Sequence, residues 1–138
     1  MDPFLNIFFL VFHTVFILFV LFGWVWPKAR RVHLAALALT ALSWFGFGIT
    51  RGFGYCFCTD WHWNVLYRMG HPDLPRSYIT FLIQTLTGWR LDDGPVDAVT
   101  VTAFLGVSAL AAWLAVKERR KRAGEPEPQE NAERMEKP

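Results

Sequence analysis

Three long apolar runs, separated by charged or broken segments, set the pattern of this chain. They are Phe4 to Trp26, Val32 to Thr50 and Asp97 to Val116, of 23, 19 and 20 residues. Each reaches the roughly 20 residues that carry an α-helix across the hydrocarbon core of a bilayer. In the first run only Asn6 and His13 are strongly polar. No basic stretch precedes that run and no small-residue cleavage site follows it, so it reads as a retained membrane helix and not as a signal peptide. The pattern predicts an all-α membrane protein with three transmembrane helices, at about residues 4–26, 32–50 and 97–116, in one integral membrane domain over residues 1–122.

The stretch from 51 to 96 is too apolar for a plain loop and too interrupted to span. Thr59 or Asp60 is a fitting cap for a helix over about 60–69, and Gly70 is a fitting terminator. Two prolines in His71-Pro72-Asp73-Leu74-Pro75 then block any helix. Ser77 is placed to cap a second helix over about 77–87, with Ile79, Leu82, Ile83 and Leu86 on one stripe. At 1.5 Å per residue such a helix is about 18 Å long, well short of the roughly 30 Å core. The pair is therefore expected as two short interfacial helices capping the outer side.

Composition fits this pattern. The chain has 138 residues, 53% hydrophobic and 17% aromatic, with seven Trp. Five of these, Trp24, Trp26, Trp61, Trp63 and Trp89, fall at the expected boundaries or in the outer segment, where an amphipathic ring finds both an apolar and a wet side. With two Cys and a net charge of +2, neither a disulfide-rich secreted scaffold nor a nucleic-acid module fits, and the three apolar runs exclude a soluble globular enzyme.

The charges predict the threading. Lys28, Arg30 and Arg31 sit in a short loop after the first run, and Lys117, Arg119, Arg120, Lys121 and Arg122 follow the third. Short Lys- and Arg-rich loops stay in the cytoplasm, which puts the amino terminus outside and the carboxyl terminus inside. Residues 123–138, rich in Glu and Pro, cannot bury enough apolar surface to order themselves and are expected to form a disordered cytoplasmic tail.

Candidate chemistry is sparse. A titratable group near the midplane draws attention first, and His13 is that group. By depth it is level with Ser43 and about Gly106, so Thr40, Ser43 and Ser108 form with it an intramembrane polar layer that offers hydrogen bonds across the bundle. A haem or metal ligand and a proton carrier are the functional readings of His13; a neutral, hydrogen-bonded histidine that fixes helix rotation is the structural one. His33 is no second haem ligand, because it opens the second helix roughly 10 Å or more below His13. Cys56 and Cys58, with His62 nearby, would suit a soft metal, a disulfide or redox pair, or two ordinary thiols in an apolar setting.

The run Gly54-Tyr55-Cys56-Phe57-Cys58-Thr59-Asp60-Trp61-His62-Trp63, with Leu74-Pro75-Arg76-Ser77-Tyr78-Ile79, Leu86-Thr87-Gly88, Ser43-Trp44-Phe45-Gly46 and His13 in a Phe-rich helix, resembles a bacterial membrane-protein family known as domain of unknown function 2784. The likeness covers about residues 4–116. The family pattern after the first Cys is Pro-Leu-Thr, where this chain has Phe57-Cys58-Thr59, so a Cys-x-Cys chemistry is not implied as a family trait. The resemblance implies a small multi-span inner-membrane protein and supplies no reaction, cofactor or catalytic residue.

Three functions follow as expectations. The leading one is a non-enzymatic subunit or accessory factor of a membrane complex, with the bilayer and either a membrane-protein partner or a second copy as its contacts. Beside it stands a haem- or metal-binding redox protein using His13 or the Cys56, Cys58 and His62 cluster. The third is a membrane enzyme or carrier, whose sign would be a pocket opening between the outer helices and the bundle.

Overall fold

The computed structural model describes residues 2–52 and 54–124. Except for its first two residues, the expected tail lies outside them. Among the described residues the fold is all-helical: α1 (Asp2–Phe22), α2 (Arg30–Ala41), a π-helical stretch (Leu42–Phe47), α3 (Gly48–Arg51), α4 (Phe57–Arg68), α5 (Tyr78–Thr87) and α6 (Asp93–Gly124). Three continuous helical segments, Asp2–Val25, Pro27–Arg51 and Asp93–Gly124, are long and apolar enough to cross a membrane.

The boundaries differ from those expected, for local reasons. The first span closes in a 3₁₀ turn, Gly23–Val25, and Pro27 starts another, Pro27–Ala29, so that α2 begins at Arg30. The third starts four residues early at Asp93, whose carboxylate complements the helix dipole, and continues through Lys117 to Arg122 because Lys, Arg, Glu and Ala are good helix formers. The second span is widened by the π-helical stretch, which nothing in the hydropathy pattern announces.

The spans run up, down and up. On α1 and α2, His33 meets Phe19 and the Val20 carbonyl; on the second span and α6, Trp44 of the π-helical stretch meets Phe104 and Arg30 of α2 pairs with Glu118. Each pair matches low numbers on one helix with high numbers on the next, so α2 is antiparallel to both neighbours. Val20, Ala36, Leu37, Phe104 and Ala111 form the buried apolar core, with Phe16, Phe19, Leu34, Trp44 and Val107 packed around it. Small alanines on α2 and α6 let the helices approach closely. At the turn, Gly23 serves the same end, since a Cβ there would lie 2.5 Å from Cδ2 of His33.

Large apolar side chains stay exposed on the outer faces, including Phe4 at 74% and Ile49 at 86%. In water such a surface would be a liability, whereas lipid tails solvate it at no cost.

α4 is not laid across the end of the bundle. α4 packs along the first half of α1, and its order runs opposite: Cys56, just before α4, lies beside His13, while His62 one and a half turns on reaches Asn6. α4 therefore begins at the level of the middle of α1 and climbs beside it. Its start is also earlier than expected. Cys56, in extended conformation, precedes the first residue Phe57, so Thr59 and Asp60 fall inside the first turn, where Asp60 complements the dipole. Its end is as expected, with Gly70 in the left-handed region. α5 packs against α6, starts after Ser77 and stops at Gly88, whose φ of 76° is the usual left-handed helix end.

Candidate functional site

Placing α4 beside the upper half of α1 buries a set of polar groups that are far apart in sequence. His13 stands midway along its span, 5% exposed. Its Nε2 is 3.8 Å from Sγ of Cys56, and its ring lies against Tyr78 with centroids 3.9 Å apart. Nδ1 of His13 is buried without a partner among the described residues. Six residues beyond Cys56, His62 is fully buried, and its Nε2 is 2.8 Å from Oδ1 of Asn6, an acceptor, so Nε2 carries the proton. Phe9, Trp63, Tyr78 and Phe81 surround that imidazole. Burial first, and the neighbouring His13 second, push His62 down to about 4, so it is neutral at physiological pH. Burial likewise pushes the Tyr78 phenol up to about 12, and its hydroxyl donates to the Leu10 carbonyl at 3.4 Å.

The two thiols are not alike. Cys58 donates to the sulfur of Cys56, and that hydrogen bond, helped by His13 and by the backbone N–H of Thr59, holds Cys56 well below the usual thiol range against the opposing effect of its burial. The same contact, together with burial, pushes Cys58 up. The proton is therefore held more firmly on Cys58 than on Cys56. Both are free cysteines, Cys58 buried and Cys56 half-buried. Low thiol pKa, a helix start and a nearby imidazole are the features of nucleophilic cysteines.

This cluster borders a cavity of about 1040 Å³ between α1, the second span, α4 and α6. Phe8, Phe12, Ile17, Trp44, Val101 and Phe104 are among its apolar walls, and His13, Ser43, Cys56, Cys58, Asp60 and Arg76 among its polar points. A polar string closes one side: Ser43 donates to the Tyr55 carbonyl at 2.9 Å, the Tyr55 hydroxyl to Asp60 at 3.4 Å, and Arg51 stacks over the Tyr55 ring. At the cavity rim Arg76 pairs with Asp97 of α6.

The structure redistributes the residues singled out from the sequence. His13, Thr40 and Ser43 do line one cavity, but they do not bond to one another: the Thr40 hydroxyl donates back to the Ala36 carbonyl, and Ser43 turns to Tyr55. Ser108 is outside the cavity lining, its hydroxyl buried without a partner among the described residues. His62, grouped with the thiols by sequence proximity, faces Asn6, and His13 takes the place beside Cys56. Among the described residues no three His, Cys, Asp or Glu side chains are arranged to hold a metal ion. Trp63 stacks with Tyr78 inside the cluster, whereas Trp26, Trp61 and Trp89 are exposed. Trp24 bonds to the Leu21 carbonyl.

Tyr55 and Tyr78 were not foreseen as site residues. One signal was available: Asn6 and His13 are seven residues apart, Cys56 and His62 six, and at 1.5 Å per residue both steps are about 10 Å. Two helices with matching polar intervals can pair them when antiparallel.

No curated protein and no solved structure matches the chain. A family model described as Protein of Unknown function (DUF2784) matches residues 3–117, most of the chain. The chain is a member of the DUF2784 family.

Proposed function

We propose that this protein is a membrane protein that admits an apolar or amphipathic small molecule to the cavity beneath α4, with Cys56 as the reactive group at its wall. The observation that carries the reading is the cavity itself: about 1040 Å³, mostly apolar, and bordered by a thiol that is hydrogen-bonded by Cys58 and adjacent to His13. Sites of this size and character suit small ligands, with few polar points fixing orientation. His13 is placed to hold or return a proton at the sulfur, and Cys58 to donate to it. The aromatic cage around His62 keeps α4 in register with α1.

The orientation we adopt has the amino terminus outside a bacterial cytoplasmic membrane. Its support is that Arg30 and Glu118 pair, which brings the Lys28 to Arg31 loop and the Lys117 to Arg122 cluster to one end of the bundle. The cavity then opens in the outer half, with α4 and α5 at or within the outer interface. The subunit reading drawn from composition keeps one supporting observation, the broad exposed apolar surface of α1, though lipid accounts for it equally well.

The test is labelling in reconstituted vesicles with two maleimides, one lipophilic and carrying pyrene, one charged. We expect the pyrenyl reagent to modify Cys56 faster, and Ala103→Trp, which fills the cavity from α6, to slow it. Equal labelling by the charged reagent, unaffected by Ala103→Trp, would sink the reading.

A further inference from the structure

At the opposite end of the bundle a second pocket, of about 310 Å³, lies between the start of α2 and the end of α6. Its walls include Arg30, Arg31, Arg119 and Arg122 against a single carboxylate, Glu118. Arg30 is already committed: it pairs with Glu118 and its Nε reaches the Trp24 carbonyl at 3.4 Å. Arg31, Arg119 and Arg122 are exposed around the pocket, and no ion pair engages them among the described residues. Four guanidiniums facing one carboxylate leave a local excess of positive charge inside a concave site.

His33 provides the second observation. It lines the same pocket and is 1% exposed. Its Nε2 is 2.8 Å from the Val20 carbonyl, which can only accept, so Nε2 carries a proton. Nδ1 is then an acceptor in the neutral ring, and it is buried without a partner among the described residues. A group fitting this pocket therefore brings negative charge for the arginines and a proton for the imidazole.

We propose that this pocket binds a phosphate monoester or inorganic phosphate, whose oxygens meet Arg31, Arg119 and Arg122 and whose remaining hydroxyl donates to Nδ1 of His33. Guanidinium forks match phosphate geometry, and basic pockets between transmembrane helices are suited to anionic headgroups. A phosphodiester lacks the hydroxyl. Two sources share the chemistry, the headgroup of phosphatidic acid and free inorganic phosphate. The site is separate from the outer cavity and stands or falls independently of it.

The experiment uses the full chain in phosphatidylcholine nanodiscs, which contain phosphatidic acid, contain phosphatidylglycerol, or contain neither and are bathed in inorganic phosphate or chloride at equal ionic strength. Native mass spectrometry after release reads the bound phosphate species. Retention of phosphatidic acid assigns a lipid headgroup, and retention of inorganic phosphate assigns the soluble ion. Two double variants separate the pocket from general charge. Arg119→Gln with Arg122→Gln removes pocket arginines, and Arg120→Gln with Lys121→Gln removes the same charge from residues outside the pocket lining. We expect the first pair to weaken retention by roughly tenfold or more and the second to leave it near wild type. Equal losses in the two pairs, retention of phosphatidylglycerol as strong as that of phosphatidic acid, or retention of neither phosphate species would each overturn the proposal.

Discussion

The two halves of the bundle solve different problems with the same three spans. In the half that holds the α1–α2 turn, α1, α2 and α6 close on Val20, Ala36, Leu37 and Ala111, and the histidine there, His33, is locked to a backbone carbonyl. In the other half α4 wedges in beside α1, the second span widens through Leu42–Phe47, and a cavity of about 1040 Å³ remains between them. The histidine of that half, His13, touches a thiol and a phenol ring. Small residues permit the close approach of the three helices. A short inserted helix, broad aromatic rings and buried polar groups prevent it, and the difference teaches where the chain holds shape and where it holds chemistry.

The sharpest break of this comparison is Phe104→Ala, since Phe104 is buried against Trp44 and anchors the core at the junction of the two halves. A loss of about 3 kcal/mol is expected in reversible unfolding from micelles. A loss below about 1 kcal/mol would mean that this core does not carry the stability.

Next is Gly23→Ala, whose Cβ would meet the His33 ring at 2.5 Å. About 2 kcal/mol of destabilisation is expected from overpacking at this turn. Thermal unfolding of Gly23→Ala together with His33→Ala checks the cause, because the double variant should recover part of the loss.

Around α4 the readout is reactivity. Cys56 is held below the ordinary thiol range, so its thiolate persists as pH falls, and alkylation at pH 6 should run roughly tenfold faster than for an ordinary thiol. Mass spectrometry of alkylated protein across pH 5 to 8, on wild type and His13→Leu, measures it. A wild-type rate that climbs tenfold per pH unit would show an unactivated thiol, and a His13→Leu rate equal to wild type would remove His13 from the account.

The smallest effect is expected at Asn6→Ala, which removes the partner of His62. About 1 kcal/mol is expected, the scale of an intramembrane hydrogen bond. A double-mutant cycle with His62→Ala should show coupling, and additive losses would mean that the pair does not hold α4 to α1.

Much of the scaffold was legible along the chain because long apolar runs and basic loops are one-dimensional signals. The helix ends at Gly70 and Gly88 were legible too, since each glycine takes the positive φ that stops a helix. The start of α4 was not: Cys56 caps poorly by its side chain, and only packing against α1 makes it the boundary. That Cys56 meets His13 while His62 meets Asn6 has a related reason. Along α4 the six-residue step from Cys56 to His62 is about 9 Å, so the two meet different levels of α1.

What the sequence alone determined is the three long apolar helices, the family, the two short helices between the second and third, and the gathering of basic residues at the ends of apolar runs. All of these depend on how much apolar surface a segment offers and where its charges stop. Only the tertiary structure decided that α4 lies along α1, that His13 belongs with Cys56 and His62 with Asn6, and that a cavity stays open between them. Those outcomes depend on helix order, direction and depth, which enter only when separate helices share a volume, and no pattern along one segment contains them.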